Sequence, residues 1–119
     1  MKNSNLSDLP ELKDYSRICS LSDLKEGQGK RFMVNDVDIA VFKHEGNVYA
    51  VSNMCPHQHT TMIYDGAVED GKIVCPIHGW MFDIKTGKMP MSRAGLEVYP
   101  VIVKGLSVYV KVHQKQLNW

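Results

Sequence analysis

Two short stretches, Cys55-Pro56-His57 and Cys75-Pro76-Ile77-His78-Gly79-Trp80, constrain this chain more than any other feature. Each sets one sulfur and one imidazole within two or three residues, so a tight turn can aim both side chains into one small volume. Seventeen residues, Gln58 to Val74, separate the two pairs. Any fold the chain adopts must therefore bring two distant turns face to face, and together they make a cage of two sulfurs and two nitrogens, a donor set that metals use.

The sequence around the pairs reads almost entirely as strand. Residues 31–34, residues 37–43 and Asn47–Ser52 are short β-prone runs separated by Asn35-Asp36 and Glu45-Gly46, which predicts an antiparallel meander. Ala67–Glu69 and Lys72–Val74 flank Asp70-Gly71, a two-residue loop suited to a type I′ hairpin, and this hairpin leads Val74 directly into Cys75. Residues 80–84 give another strand with a turn at Lys85-Thr86-Gly87, residues 88–95 are irregular around Pro90, and residues 97–104 and 106–112 form a closing hairpin around Gly105. Upstream, residues 17–20 read as a short strand and residues 20–27 as a single helical turn with Ser20 as its cap and Gly27 as its stop. The expected fold is all-β, a sandwich or small barrel of short strands in one domain. Its body is expected over about residues 15–112, between an N-terminal arm and a mobile tail from His113 to Trp119.

Charge and cysteine usage narrow the function. Lys and Arg number 14 against 13 Asp and Glu, a net charge of +1 that gives no attraction to nucleic acid or to an anionic membrane. No apolar run has the length of a spanning helix, and the N-terminus carries no export signal, so a cytoplasmic protein is expected. Three cysteines in such a chain point to metal binding or chemistry rather than a disulfide framework. Cys19, inside a strand, is read as a small buried apolar residue. The metal turns also stand out by charge: residues 54–64 and 73–82 contain no Asp, Glu, Lys or Arg. Surface turns normally carry charge, so an apolar tip suited to a partner is expected there.

Two cysteines and two histidines suit zinc, and equally a 2Fe-2S cluster with two thiolates on one iron and two imidazoles on the other. Zinc fingers segregate cysteines and histidines into separate elements, whereas each turn here mixes them, as if each gave one ligand to each iron. Cys55-Pro56-His57 followed by Cys75-Pro76-Ile77-His78-Gly79-Trp80-Met81-Phe82-Asp83 resembles the Rieske 2Fe-2S motif, and the likeness runs from about residue 17 to residue 112.

That resemblance implies an antiparallel β-sandwich carrying a small cluster-binding subdomain, with cluster loops over about residues 53–62 and 73–83. It implies one 2Fe-2S cluster, with Cys55 and Cys75 on the inner iron and His57 and His78 on the outer, reducible iron. Gly79 would let backbone pass close to the cluster. The positions of the extra cysteines of respiratory Rieske proteins are Thr60 and Ile77, and those of their hydroxyl donors are Trp80 and Phe82. The chain thus resembles the soluble ferredoxins that feed oxygenases, with a potential toward the low end of the roughly −150 to +300 mV Rieske range. The implied function is one-electron transfer from a flavin-dependent reductase to a terminal oxygenase or similar enzyme, by a monomeric carrier that is not itself an enzyme. The alternative is a Rieske-like small subunit of a larger oxidoreductase, such as assimilatory nitrite reductase. His44 and His113 are read as ordinary surface residues, and His59, two residues after a ligand, as a solvated tip residue in preference to a role in proton transfer or docking. Met54, Met62, Met81, Met89 and Met91 are read as gap fillers under the cluster loops.

Overall fold

The run Val37-Asp38-Ile39-Ala40-Val41-Phe42 reads as a strand buried on both faces, since its apolar residues are nearly continuous rather than alternating. The computed structural model, which describes residues 12–55, 61–77, 79–89 and 95–113, places that run in the middle layer. In chain order the strands are β1 (Ser16–Ser20), β2 (Gly29–Val34), β3 (Val37–His44), β4 (Asn47–Ser52), β5 (Ala67–Glu69), β6 (Lys72–Val74), β7 (Met81–Asp83), β8 (Val98–Tyr99), β9 (Val101–Lys104) and β10 (Ser107–Val110). They form three antiparallel sheets with orders β1-β10-β9, β2-β3-β4-β8 and β5-β6-β7, and no α-helix occurs among the described residues.

Alternation along β3 and β4 divides the core in two. Ile39, Val41 and Ala50 face the first sheet, where they pack with Cys19, Val108, Val110 and Tyr99. Ala40, Phe42 and Val51 face the other way and pack with Ile73, Phe82, Ile84 and Ile63. The small third sheet is therefore fastened to the middle sheet by its own apolar core, and each large side chain buried there contributes about 1.5–3 kcal/mol. This is the sandwich with a smaller appended sheet that the sequence led us to expect.

The hairpins form at the expected places for the expected reason. Asp70 and Gly71 both have positive φ, 51° and 74°, as a type I′ turn requires, and Asn35-Asp36 and Glu45-Gly46 do the same. The register Glu69↔Lys72, Val68↔Ile73 and Ala67↔Val74 then follows from the two-residue loop. β6 next pairs with β7 through Ile73↔Phe82 and Val74↔Met81.

Four local expectations are corrected. Residues 97–104 are not one strand: Pro100, which has no N–H to give a ladder, divides β8, paired with β4, from β9, paired with β10. The turn after β1 is a 3₁₀ turn, Leu21–Asp23, in which the Asp23 carboxylate accepts the Ser20 N–H at 3.0 Å. It ends at Leu24, and Gly27 instead donates its N–H to the Lys43 carbonyl at 2.7 Å. The packed body already includes Leu12, one of the most buried side chains, whose carbonyl accepts the Tyr15 N–H at 3.0 Å. His113 does not begin a loose tail, because its Nε2 lies 2.8 Å from Glu97 Oε1 and its ring 4.9 Å from that of Tyr99.

Tyr99 gives this part of the fold a pH dependence. It is 4% exposed, and burial, with the Glu97 charge adding to it, pushes its phenol up to about 12. A raised folded-state value means that stability is complete below the unfolded value of about 10 and is lost as pH rises toward 12. Tyr99→Phe removes the titration. Relative to the wild type, the variant should therefore gain about 1.4 kcal/mol between pH 9 and pH 11, read from denaturant midpoints at both pH values. A pH-independent difference between the two proteins would contradict the burial of this phenol.

Candidate metal centre

Cys55 and Cys75 each stand shortly past the end of a strand. β4 ends at Ser52, and Asn53 and Met54 carry the chain to Cys55; β6 ends at Val74, and Cys75 follows at once. β4 belongs to the middle sheet and β6 to the third. Even so, Cys55 and Cys75, each 1% exposed, belong to the same buried cluster, with Phe42, Ile63, Ile73 and Phe82. The fold thus places in one core cluster two cysteines that the sequence sets twenty residues apart. None of the three described cysteines is in a disulfide. Cys19 lies in the other core, on the far face of the middle sheet, and burial followed by the Asp23 charge pushes its thiol pKa up, as suits a packing residue. His57 and His78 lie outside the described residues, as do Pro56, His59, Thr60 and Met91.

Both loops are closed at their roots by hydrogen bonds. In the second, the Cys75 N–H donates to the Trp80 carbonyl at 2.7 Å, extending the β6–β7 ladder by one pair. The Gly79 N–H donates to the Cys75 carbonyl at 2.9 Å, with Gly79 at a φ of 74°. That φ lies in the left-handed region that favours glycine, and the Gly79 amide is used within the turn. In the first loop, the Asn53 N–H donates to the Asp38 carbonyl at 3.0 Å, and the Asn53 carbonyl accepts the Ile63 N–H at 3.2 Å.

Around the cysteines the lining is apolar. Phe82 is fully buried, and Trp80 and Met89 pack against the same core from partly exposed positions. The alternation of Trp80 and Phe82 therefore ends as packing, as expected. Ile77 and Met81, 40% and 37% exposed, leave an uncharged apolar surface beside the second loop. Asp83, at the end of β7, holds the following turn by accepting the Lys85 N–H at 2.8 Å and the Thr86 N–H at 3.0 Å, and the first of these bonds leads in lowering its pKa.

Two buried thiol side chains in one apolar core cluster, each at the root of a hydrogen-bonded loop, fit a thiolate-bound metal group. Among the described residues no set of three or more Cys, His, Asp or Glu side chains converges on one point. What the sequence did not reveal is Asn53, the one fully buried polar residue of the described core. An isolated asparagine between the apolar end of β4 and Cys55 is the only signal that marks it.

Comparison with known proteins agrees with this geometry. Residues 14–100 match the Rieske 2Fe-2S domain family. The chain is 36% identical, over 77% of its length and 89% of the relative's, to the ferredoxin component of naphthalene 1,2-dioxygenase/salicylate 5-hydroxylase systems from Ralstonia. Among solved structures it resembles a chain, 31% identical with a TM-score of 0.71, from the complex of reduced oxygenase and oxidised ferredoxin in carbazole 1,9a-dioxygenase, covering 80% of this chain and 99% of that one. A structure from Mycobacterium tuberculosis, assigned as the small subunit of an NADH-dependent nitrite reductase, shares the fold at 24% identity with a TM-score of 0.79, covering 85% of this chain and 96% of that one.

Proposed function

The chain belongs to the Rieske 2Fe-2S domain family, and we propose from this premise that it is a ferredoxin, a one-electron carrier that serves a terminal oxygenase or similar enzyme and catalyses nothing itself. The observation that carries this reading is the convergence of Cys55 and Cys75 in one buried apolar cluster, at the roots of two loops without charged residues. In our assignment Cys55 and Cys75 hold the inner iron of a 2Fe-2S cluster and His57 and His78 hold the outer one. When bound, the cluster supplies one reversible electron at a potential tuned by its ligands and surroundings.

The chain's own residues set those surroundings. Phe82, Ile63 and Ile73 exclude water from the cysteine side. Phe82 and Trp80 occupy positions where a hydroxyl would otherwise donate to the sulfurs, which supports a potential in the lower part of the Rieske range. Exposed Ile77 and Met81 and the absence of charge support a docking face that tolerates more than one partner. We assign to it in turn a flavin-dependent reductase and the oxygenase. No helix of the described residues is long and apolar enough to cross a membrane; we read the carrier as monomeric and cytoplasmic, and the core shared by the middle and third sheets supports reading residues 1–119 as one domain.

Spectroscopy tests the assignment. The purified protein should contain about two irons per chain, absorb visible light, and give the EPR signal of a mixed cysteine–histidine 2Fe-2S centre after reduction. A colourless, EPR-silent protein with stoichiometric zinc would falsify the reading. Size exclusion of native extract should place the chain at the volume of a small free protein; a stable large complex would make it a fixed subunit instead.

A further inference from the structure

Every polar atom of the Asn53 side chain is engaged although the residue is 0% exposed. Its Nδ2 donates to Asp38 Oδ1 at 3.0 Å and to the Thr61 carbonyl at 3.1 Å, and its Oδ1 accepts the Tyr64 N–H at 2.8 Å. Thr61 and Tyr64 lie at the far end of the loop that begins at Asn53. One side chain thus ties the exit of the first loop to its entrance, two residues before Cys55. On its other side Asp38 is held by Arg31, whose Nε donates to Oδ1 at 3.0 Å and whose second guanidinium nitrogen donates to Oδ2 at 2.6 Å. The pair is bidentate, with Arg31 half-exposed and Asp38 mostly covered.

We propose that Asn53 is a positioning residue for the cluster, fixed by the Arg31–Asp38 pair so that the loop carrying Cys55 keeps a single geometry. The inference rests on the ligand role assigned to Cys55. A fully buried amide would be replaced by an apolar side chain without penalty if only core volume mattered. This one instead meets its two donors and its acceptor with three different partners, and two of them lie across the loop. Charge matters as well as shape: the bidentate guanidinium holds the Asp38 carboxylate whose Oδ1 accepts Asn53 Nδ2, so the order runs from the edge strand β2 through β3 to the loop carrying Cys55. Partners that hydrogen-bond metal ligands directly are worth roughly 10–100-fold in metal affinity, and Asn53, acting one step further off through the loop, is expected at the low end of that range.

The test uses the holoprotein. Asn53→Asp keeps the size of the side chain and the acceptor for Tyr64, but it removes both donors and sets a second carboxylate against Asp38. Iron release to a chelator should be about 10-fold faster than in the wild type, and the EPR line shape of the reduced cluster should shift or broaden. Should Asn53→Asp not accumulate in folded form, Arg31→Gln at the surface carries the test, with faster iron release and a broadened signal in the same direction. Wild-type release rate and line shape in the folded variant would overturn the proposal, as would a lowered melting temperature with both readings unchanged, since that is what a structural role alone produces. The underlying ligand assignment fails separately, if the wild-type protein itself lacks the signal.

Discussion

Cys75→Ala, and equally Cys55→Ala, should yield protein without bound cluster, colourless and without a Rieske EPR signal, whereas Cys19→Ala keeps both colour and signal. The three cysteines are alike in burial, so the contrast tests position rather than accessibility. Cys55 and Cys75 lie in the core between the middle and third sheets, while Cys19 lies on the opposite face of the middle sheet. Losing one sulfur from any of the three removes packing worth about 1 kcal/mol. Only at Cys55 or Cys75 does the change also remove one of the four cluster ligands we propose, and the free energy of metal binding is then lost to folding. The thermal midpoints of Cys55→Ala and Cys75→Ala should accordingly fall well below that of Cys19→Ala. Iron content, EPR and calorimetry on the three variants make the comparison. Retention of a normal signal in Cys75→Ala would overturn the ligand assignment, and His57→Ala and His78→Ala extend the same test to the imidazole side.

Most of this architecture is legible in the sequence because its signals are local. Asn35-Asp36, Glu45-Gly46 and Asp70-Gly71 each demand positive φ at two successive positions, which fixes three hairpins and hence the register of five strands. Cys55 and Cys75 stand out in the sequence because a turn that binds metal needs specific residues at a specific spacing, and the fold buries both in one core cluster. What escapes is what depends on distant partners. Residues 97–104 read as one strand, since nothing nearby shows that Tyr99 pairs with Ala50 while Val101 pairs with Val110; the switch at Pro100 is decided by which sheets are available. Leu12 and His113 seem to belong to loose ends, yet both are drawn in by surfaces formed far away in the chain. The role of Asn53 was hidden for the same reason, as its partners Asp38, Thr61 and Tyr64 are brought to it only by the fold.

Gly87→Ala is the single methyl addition expected to do most harm, with a loss of about 3 kcal/mol. Two effects combine there. Gly87 has a φ of 74°, which costs about 1 kcal/mol or more for a residue with a side chain. An added Cβ would also stand 2.2 Å from the Leu96 carbonyl oxygen and 2.9 Å from Val98 Cγ2. Neither neighbour can yield freely: the Leu96 N–H donates to the Gly87 carbonyl at 2.8 Å, and Val98 begins β8, which is paired with β4. Forcing atoms apart in a packed site typically costs about 1–3 kcal/mol. The position matters for function because the chain after β7 crosses here to the middle sheet, closed by the Gly87 N–H to the Asp83 carbonyl at 2.7 Å and by the Lys88↔Gly95 bridge. Strain at Gly87 therefore acts on the junction that holds the Cys75 sheet against the Cys55 sheet. Denaturant unfolding of the holoprotein should show the loss in stability, and iron release should quicken with it. Gly71→Ala is the matched control, with a φ of 74° but nothing within 4 Å of the added methyl group. It should show only the backbone part of the cost, so equal losses at the two glycines would mean that the close approach of Gly87 to Leu96 does not exist in solution.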